Sequence, residues 1–382
     1  MQVINAYKDD SFNYKIHIYG NFNDVNHKLD DLIKNYSSVI LFIDSYIEDR
    51  NEVNEIYNLC NLVGNKKNIK IYKKLIESGK HSKNFKTIEL IIDWLIKRKI
   101  QRDALFIGIG GGVIGDLVGF LSSIYYRGVD LCHVPTNITA MTDSSIGGKT
   151  AINTKMHVNS CGSYKHPVMT LINTNFLATL PDRELRAGFA EILKIALLKK
   201  GKLQRILNNK NKNRNILSLL SDGNIIKDAI EYKLHFTASD IYEKKKRLFL
   251  NIGHTFGHSI ESVQNLDTEE YYRHGEAVSL GLISASVVSD LVFGSNLEYK
   301  ISNLLSSFGL PTRIPRDFFD KTKFLNKESL INQLVKIAFT DKKGVQGQLR
   351  LILMEDLFKP VIYQTSDGNL LRQGFSKLLE NI

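Results

Sequence analysis

Residues 104–120 read ALFIGIGGGVIGDLVGF, and this stretch decides the fold. The apolar run at 104–109 predicts a buried strand, and residues 113–126 predict a helix. The triplet Gly110-Gly111-Gly112 between them has no Cβ atoms, so its backbone N–H groups can approach an anion closely. Strand, glycine turn and helix in this order are typical of a nucleotide site in an α/β fold. A glycine triplet alone fits a tight strand-to-helix turn equally well.

The chain beyond this helix continues the same pattern. Residues 134–153 read VPTNITAMTDSSIGGKTAIN and contain a second glycine turn, Gly147-Gly148, followed by Lys149. A lysine beside paired glycines suits an anionic oxygen. The alternative is a surface lysine on a turn. Short strands are predicted at 131–135 and 168–172.

The flanking segments set the domain organisation. Residues 38–44 (SVILFID) predict a buried parallel strand ending at Asp44, which suits either a ribose hydroxyl pair or a helix N-cap. Apolar spacing predicts helices at 85–99, 182–198 and 223–242. We therefore expect a Rossmann-like α/β dinucleotide-binding domain at 1–178, followed by a mainly α-helical domain at 179–382.

Composition narrows the class of protein. The 382 residues include 51 Lys and Arg against 40 Asp and Glu, a net charge of +11. The basic run at 199–214 has no interleaved aromatic residues, which favours a solvated surface over nucleic-acid binding. We expect no membrane-spanning segment, because no apolar run approaches the length of about 20 residues that a span needs. The scattered Cys60, Cys132 and Cys161 indicate a reducing compartment, hence the cytoplasm.

Histidines and a carboxylate suggest a metal site in the second half. His254 and His258 are four residues apart, and His274 follows in the sequence HGEAVSLG. Glu191 and Lys194 share one face of the helix at 182–198. Two histidines with a carboxylate make a catalytic zinc site. The spacing leaves open which two histidines bind, and a pair four apart is by itself more often an exposed helix pair.

The motifs taken together resemble the 3-dehydroquinate synthases of the sugar-phosphate cyclase superfamily. The resemblance runs from about residue 40 to 355 and is specific in its core. The motifs that carry it are GGGVIGDLVGF, Arg127-Gly128, VPT, DSSIGGKTAIN, TLPDREL, GFAEILK, the LNIGHTFGH run ending in Glu261, and HGEAVSLG.

The resemblance implies an NAD- and metal-dependent lyase. Such an enzyme converts 3-deoxy-D-arabino-heptulosonate 7-phosphate to 3-dehydroquinate with phosphate release, and NAD is used and regenerated. It implies the shikimate pathway of aromatic amino acid biosynthesis, an anionic sugar-phosphate substrate, a homodimer, and no nucleic-acid or membrane partner.

The resemblance also implies roles for individual residues. The implied NAD site comprises Asp44, Lys83, Gly111, Gly112, Val113, Asp116, Thr136, Asn137, Asp143 and Lys149. The implied ligands of zinc, or cobalt, are Glu191, His254 and His274. The implied catalytic and substrate-binding residues are Arg127, Asp143, Lys149, Asn159, Lys194, Lys233, Arg247, Asn251, His258 and Lys342, with Lys343 as the alternative to the last.

Five places depart from the family pattern, and one of them is the segment Tyr164-Lys165-His166-Pro167, which replaces a more apolar version. Lys80 stands where the pattern has an acid, Asn137 replaces a threonine, Val158 a lysine, and Lys245 a glycine. These changes fit weaker NAD affinity, a different anionic substrate, or compensated drift.

Two alternative functions therefore accompany the first. One is a cyclase for another sugar phosphate such as sedoheptulose 7-phosphate, and the other is a non-catalytic NAD- or anion-binding paralogue. Lys233, Arg247 and Asn251 suit a carboxylate-bearing substrate and favour the first reading. The intact set of expected metal ligands argues against a non-catalytic paralogue.

Overall fold

The chain folds into two compact units. The computed structural model describes all residues except 7–12, 156, 209–214, 265–269, 323, 325, 342–347 and 381–382. The first unit comprises Met1–Leu180 and Leu217–Leu234, and the second comprises Pro181–Ile216 and His235–Ile382. The segment Leu217–Leu234 thus belongs with the first unit, although it follows the expected domain boundary in the chain.

Parallel strands form the centre of the first unit. The strands of this unit, in chain order, are β1 (Gln2–Ala6), β2 (Tyr14–Tyr19), β3 (Ser38–Asp44), β4 (Lys70–Ile76), β5 (Ala104–Gly110), β6 (Asp130–Pro135), β7 (Lys149–Ile152), β8 (Cys161–Tyr164) and β9 (Met169–Asn173). The 7-stranded sheet has the order β1-β2-β9-β6-β5-β3-β4, and only the pair β1-β2 within it is antiparallel. Strands β7 and β8 form a separate antiparallel pair. Every residue of β5 is buried, as expected for a parallel strand covered on both faces.

The strand order defines where a ligand can bind. From β3 the chain moves outward to β4, then returns to the other side of β3 and continues through β5, β6 and β9. This is the flavodoxin-like order, whose direction reverses between β3 and β5. Ligands of open α/β sheets bind at such a switch point, outside the carboxyl ends of the strands.

Helices cover the sheet and build the second unit. Within the described residues the α-helices are α1 (Asn26–Ile33), α2 (Asn51–Lys67), α3 (Phe85–Lys97), α4 (Gly112–Ile124), α5 (Asp182–Leu198), α6 (Gln204–Asn208), α7 (Ile216–Leu220), α8 (Asn224–Thr237), α9 (His254–Ser262), α10 (His274–Phe293), α11 (Glu298–Ser307), α12 (Asp317–Asp320), α13 (Lys327–Asp341) and α14 (Gly368–Leu378). The second unit also has the antiparallel strands β10 (Leu349–Asp356) and β11 (Lys359–Thr365). The predicted α/β domain followed by a mainly helical domain is confirmed.

Helix α10 is the central helix of the second unit. Its 20 residues are long and apolar enough to cross a membrane by length and composition alone, so our reading that no apolar stretch reaches that length was too strict. Most of the helix is buried within the unit, where it packs against α5, α9, α11 and α14. Its apolar character is that of a core helix, and its first residue is His274.

Candidate active site

Three helices of the second unit bring a carboxylate and two histidines together. Glu191 lies in the middle of α5, whereas His254 and His274 are the first residues of α9 and α10. One ligand atom from each of these side chains lies within 4.8 Å of the others. Glu191 is fully buried and His254 is 8% exposed. The first turns of α9 and α10 and the middle of α5 therefore form a single polar cluster, which is buried at Glu191 and His254 and half-buried at His274.

Glycines allow the three helices to approach this closely. A Cβ atom added to Gly275 of α10 would lie 1.7 Å from the carbonyl oxygen of Ala187 on α5. A Cβ atom added to Gly281 would lie 2.0 Å from the carbonyl oxygen of Gly253, which immediately precedes α9. Because contacts this short are impossible for a real Cβ, the backbones themselves are in contact at these points. The spacing of the two histidines and Glu191 follows from that backbone contact.

The two histidine rings present the same nitrogen to Glu191. His254 Nδ1 lies 3.3 Å from the carbonyl oxygen of Ile252, and His274 Nδ1 lies 3.1 Å from Oε2 of Glu261. The Nε2 atoms of His254 and His274 lie 3.7 and 3.3 Å from Oε1 of Glu191. Histidine ligands of metals usually have the other ring nitrogen held in this way by a carbonyl or a carboxylate.

Lys194 balances the charge of the buried carboxylate. Its Nζ lies 2.5 Å from Oε2 of Glu191, and both side chains are almost completely inaccessible. Burial opposes ionisation of Glu191, but Lys194 and the two histidines hold the pKa of that carboxyl well below its usual range. Burial, together with Lys194, lowers the pKa of His254 well below its ordinary value, so this imidazole is neutral. Burial would lower the pKa of His274 too, but its contacts with Glu191 and Glu261 raise it to about 10.

These groups fit a divalent metal ion. Both oxygens of Glu191 are buried. Lys194 and the two histidines lie within ion-pair distance of them, but none of the described residues donates a hydrogen bond of regular geometry to either oxygen. Two imidazole nitrogens and a carboxylate oxygen are the donor set of catalytic zinc. A metal bound here would replace the proton on His274 Nε2, as metal binding to histidine generally does.

His258 lies beside the cluster. Its ring centroid is 5.3 Å from that of His254 and 6.1 Å from that of His274. His258, Glu261 and His274 form a second group whose ligand atoms could hold an ion. Since His274 Nδ1 already contacts Glu261, we assign Glu261 to orienting His274 and His258 to the edge of the site.

The loop before α9 holds two further residues with an expected role in substrate binding. Arg247 is 2% exposed, and its Nη1 donates to the carbonyl oxygen of Ile241 at 2.7 Å. Asn251 donates from Nδ2 to Oε1 of Glu243 at 2.6 Å. The sequence reading missed Glu243, which has φ of 56° and sits in a run of lysines where nothing marks it as a site residue.

Asp240 organises the same loop and was also missed. Its carboxylate accepts backbone N–H bonds from Lys244, Lys245 and Arg247 at 2.8, 2.6 and 3.0 Å. Burial opposes ionisation of Asp240, but these three donors lower its pKa. The predicted helix at 223–242 was therefore wrong at its end, because α8 stops at Thr237 and the chain turns around Asp240. The sequence signal that could have indicated this role is an acidic residue placed just before a run of basic residues.

In the first unit, the glycine triplet lies at the switch point of the sheet. Gly110 ends β5, Gly111 is the N-cap of α4 and Gly112 is its first residue, so the first N–H groups of the helix are next to the strand ends. A Cβ atom on Gly110 would lie 3.2 Å from Cβ of Asp44 at the end of β3. A Cβ atom on Gly111 would lie 2.7 Å from Nδ2 of Asn137. The arrangement fits a dinucleotide, whose pyrophosphate binds helix N-termini of this kind.

Three further predicted NAD-site residues, Val113, Thr136 and Asp44, lie at the carboxyl ends of β5, β6 and β3. Val113 is half-buried in the first turn of α4, and Thr136 is buried after β6 with its N–H donating to the carbonyl of Gly110 at 3.1 Å. Asp44 accepts the N–H of Tyr46 through Oδ1 at 3.0 Å. The N-cap alternative for Asp44 is therefore realised, for a short 3₁₀ turn at Ser45–Ile47.

Two of the lysine–aspartate pairs in the first unit consist of predicted site residues. Lys83 contacts Oδ2 of Asp116 at 2.5 Å and also donates to Oδ1 of Asn159. Burial raises the pKa of Asp116, and Lys83 opposes that rise. Lys233 donates to both the carboxylate and the carbonyl oxygen of Asp143, which lies in a π-helical turn at Ala140–Ser144. Turns of this type are frequent at functional sites.

The other predicted residues are more exposed. Arg127 is exposed and follows Tyr126, and both have positive φ angles, of 65° and 46°. Lys149 is exposed at the start of β7, and Val158 is 70% exposed. The predicted Lys342, and its alternative Lys343, lie outside the described residues.

Comparison with known proteins identifies the relatives of this chain. Models of the N-terminal and C-terminal domains of 3-dehydroquinate synthase match residues 73–187 and 188–344. The 3-dehydroquinate synthase of Shewanella pealeana is 34% identical over 304 residues, which make up 79% of this chain and 81% of that protein.

Solved structures share the whole fold at low identity. The 2-deoxy-scyllo-inosose synthase complexed with carbaglucose-6-phosphate, NAD+ and Co2+ has a TM-score of 0.76 and 22% identity, covering 98% of this chain and 99% of that one. The 2-epi-5-epi-valiolone synthase of Streptomyces hygroscopicus with NAD+ and Zn2+ bound has a TM-score of 0.75 and 21% identity, covering 99% of both chains.

The glycine-lined switch point and the carboxylate–histidine cluster define the class, an α/β protein with a candidate dinucleotide site in one unit and a candidate metal site in the other. The chain belongs to the 3-dehydroquinate synthase family.

Proposed function

We propose that this protein is a 3-dehydroquinate synthase, a lyase that converts 3-deoxy-D-arabino-heptulosonate 7-phosphate to 3-dehydroquinate and phosphate. The observation that supports this most is the cluster of Glu191, His254 and half-buried His274, with its donor atoms within 4.8 Å of one another. Apolar side chains would stabilise the core of a fold better than a carboxylate with two oriented imidazoles does. The retention of this cluster in a chain of this family supports catalysis.

The two cofactors have separate places in this proposal. NAD, held at the ends of β3 and β5, would supply reversible hydride transfer, and zinc or cobalt would polarise an oxygen at the reacting carbon. Glu191, His254 and His274 would hold the metal. Lys194 keeps Glu191 ionised, and Glu261 keeps His274 oriented with Nε2 toward the metal position.

The cations and amides among the predicted site residues match an anionic substrate. In the first unit we assign substrate contacts to Arg127, Asp143, Lys149, Asn159 and Lys233. In the second unit we assign them to Lys194, Arg247, Asn251 and His258. Arg247 is rigidly held by Ile241 and by the turn around Asp240, so its guanidinium is preorganised for a carboxylate or a phosphate. Fixed charges of this kind orient the reacting conformer and stabilise developing charge.

The functional domain boundary, location and assembly belong to the same proposal. We place the dinucleotide-binding domain at 1–178 and the metal- and substrate-binding domain at 179–382. Cys60, Cys132 and Cys161 are free thiols, which agrees with the cytoplasm. We propose a cytoplasmic homodimer in the shikimate pathway, and light scattering on the purified protein measures its mass directly.

The decisive experiment measures phosphate release. The purified, zinc-loaded protein is incubated with NAD+ and either 3-deoxy-D-arabino-heptulosonate 7-phosphate or sedoheptulose 7-phosphate, and the product is identified by mass spectrometry. We expect turnover of the carboxylated substrate alone. Turnover of sedoheptulose 7-phosphate without the other would assign the chain to a different cyclase, and no release from either would leave a binding protein.

A variant tests the metal assignment. His254→Ala should lose both bound zinc and turnover, whereas His235→Ala, at an exposed histidine on α8, should retain both. Zinc content is measured by atomic absorption after dialysis. Full zinc occupancy in His254→Ala contradicts the ligand set.

A further inference from the structure

A buried hydroxyl at the switch point of the first unit has no hydrogen-bond partner among the described residues. We propose that this group, Oγ of Ser144, binds the dinucleotide by donating a hydrogen bond to the phosphate at the N-terminus of α4. The inference deepens the proposed function and rests on it, because it takes a dinucleotide as the ligand of this site.

The first step is the environment of the hydroxyl. Oγ of Ser144 is inaccessible to solvent, and no side chain or main-chain group of the described residues bonds to it. Burying a hydroxyl without a partner is unfavourable, and folded proteins pair nearly all such groups with protein, water or ligand. The Ser144 hydroxyl therefore calls for a partner that the described chain does not supply.

The neighbouring hydroxyls are used differently. Ser144 is the last residue of the π-helical turn after β6. Oγ1 of Thr142 donates to the carbonyl oxygen of Ile138 at 2.9 Å. Oγ of Ser145 donates to the carbonyl oxygen of Ala140 at 2.7 Å. Those two hydroxyls stabilise the main chain of the turn, whereas the hydroxyl of Ser144 contributes nothing to it.

The Ser144 hydroxyl lies beside the N-terminus of α4. A Cβ atom added to Gly112, the first residue of the helix, would lie 3.2 Å from Oγ of Ser144. The N-cap residue Gly111 has no side chain with which to cap the first N–H groups, and the first turn contains no acidic residue. The hydroxyl and the helix N-terminus thus offer hydrogen-bond donors at one place, where the helix dipole favours an anion.

Asn137 presents a further donor to the same turn. Its Oδ1 accepts the N–H of Ala140 at 2.9 Å, which fixes the orientation of the amide. Its Nδ2 would lie 2.7 Å from a Cβ atom at Gly111. Main-chain N–H groups, an amide and a hydroxyl together match the oxygens of an ionised pyrophosphate, which only accept hydrogen bonds.

The experiment compares the ligand affinities of the full-length, metal-loaded protein with those of Ser144→Ala. Isothermal titration calorimetry gives Kd for NAD+ and for ADP-ribose, which has the pyrophosphate but no nicotinamide. Ser144→Ala should raise both Kd values by about 10- to 100-fold, the range of one hydrogen bond to a charged group. The Kd of adenosine, which has no phosphate and is titrated by NMR, should not change.

A second measurement separates binding from a structural role. Without ligand, Ser144→Ala should unfold at the same urea concentration as the wild type or at a higher one, because no described residue loses a hydrogen bond. Ser38→Ala is the matched control, since Oγ of Ser38 is also buried without a partner among the described residues. Ser38 begins β3, about 20 Å from the carboxyl end of that strand, so its variant should keep the wild-type Kd values.

Four results would overturn the inference. They are an unchanged Kd of NAD+ in Ser144→Ala, a loss for NAD+ without a loss for ADP-ribose, a loss that extends to adenosine, and equal losses in Ser144→Ala and Ser38→Ala. When the wild type releases phosphate from its sugar-phosphate substrate, each of these leaves the proposed function standing and refutes the inference alone. A wild-type protein that binds neither NAD+ nor ADP-ribose contradicts both.

Discussion

Replacing Lys194 with methionine tests the charge balance of the buried cluster. Lys194 Nζ lies 2.5 Å from Glu191 Oε2 in a region that solvent does not reach. At an effective dielectric constant of about 20, this pair attracts by about 7 kcal/mol. Part of that is offset by the cost of burying the ammonium itself, so removing one partner of a buried pair costs about 3–5 kcal/mol. Methionine keeps the length of the side chain and removes the charge.

The measurement is unfolding in the presence and absence of metal. In EDTA, the free energy of unfolding of Lys194→Met should be about 3–5 kcal/mol lower than that of the wild type. This loss lowers the melting temperature by about 10 °C in a unit of this size. Zinc should restore most of that loss, because the metal then supplies the positive charge beside Glu191. By linkage, zinc should bind to the variant about tenfold or more tightly than to the wild type. Turnover should fall, because Lys194 is a proposed substrate contact.

The control and the refuting result follow from the same charges. Lys200→Met, at an exposed residue just after α5, should change neither stability nor zinc affinity. A Lys194→Met protein that is as stable as the wild type in EDTA and binds zinc more weakly refutes the reasoning, since Lys194 would then neither balance Glu191 nor compete with the metal.

Three further perturbations address the supports of the site. Glu261→Gln should weaken zinc binding about 10- to 100-fold, because it removes the carboxylate that holds His274, and a competition titration with a chelator measures this. Gly275→Ala should cost at least about 1–3 kcal/mol and reduce zinc occupancy, because the new Cβ would force α10 away from Ala187; Gly368→Ala, with its nearest neighbours at 3.8 Å, should unfold like the wild type in urea. Burial lowers the pKa of His133 to about 4. Between about pH 6.5 and 4, this histidine is therefore protonated in the unfolded chain but neutral in the folded chain. Stability should therefore fall as the pH drops, by about 2 kcal/mol from this group at pH 5, and urea unfolding at pH 7 and 5 should show a smaller loss for His133→Gln.

The regular elements were largely predictable because local sequence and tertiary fold agree there. The run at 38–44 is β3 and the pattern at 182–198 is α5, with bounds as predicted. The first is a continuous apolar run, the second has apolar residues at helical spacing, and both have clear ends. The segment Leu217–Leu234 was not assigned to the first unit, because its helical pattern is the same whether it packs on a sheet or on other helices.

The candidate site was predictable from motifs but not from spacing alone. Three histidines were available as ligands, and their separation in sequence does not reveal which nitrogen points where. The carbonyl of Ile252 and the carboxylate of Glu261 turn the rings of His254 and His274 toward Glu191, and both partners are distant in sequence or belong to the backbone. Contacts of this kind arise only once the three helices are packed.

The glycine contacts between α5, α9 and α10 imply a binding site that exists before the ion arrives. Since main-chain atoms meet at Gly275 and Gly281, the distances between the ligands do not depend on how flexible side chains settle. Little conformational entropy is left to lose on metal binding, in contrast to small domains that fold only around their ion. Removal of the metal should consequently leave the second unit folded, and cobalt and zinc should exchange in it without an unfolding step.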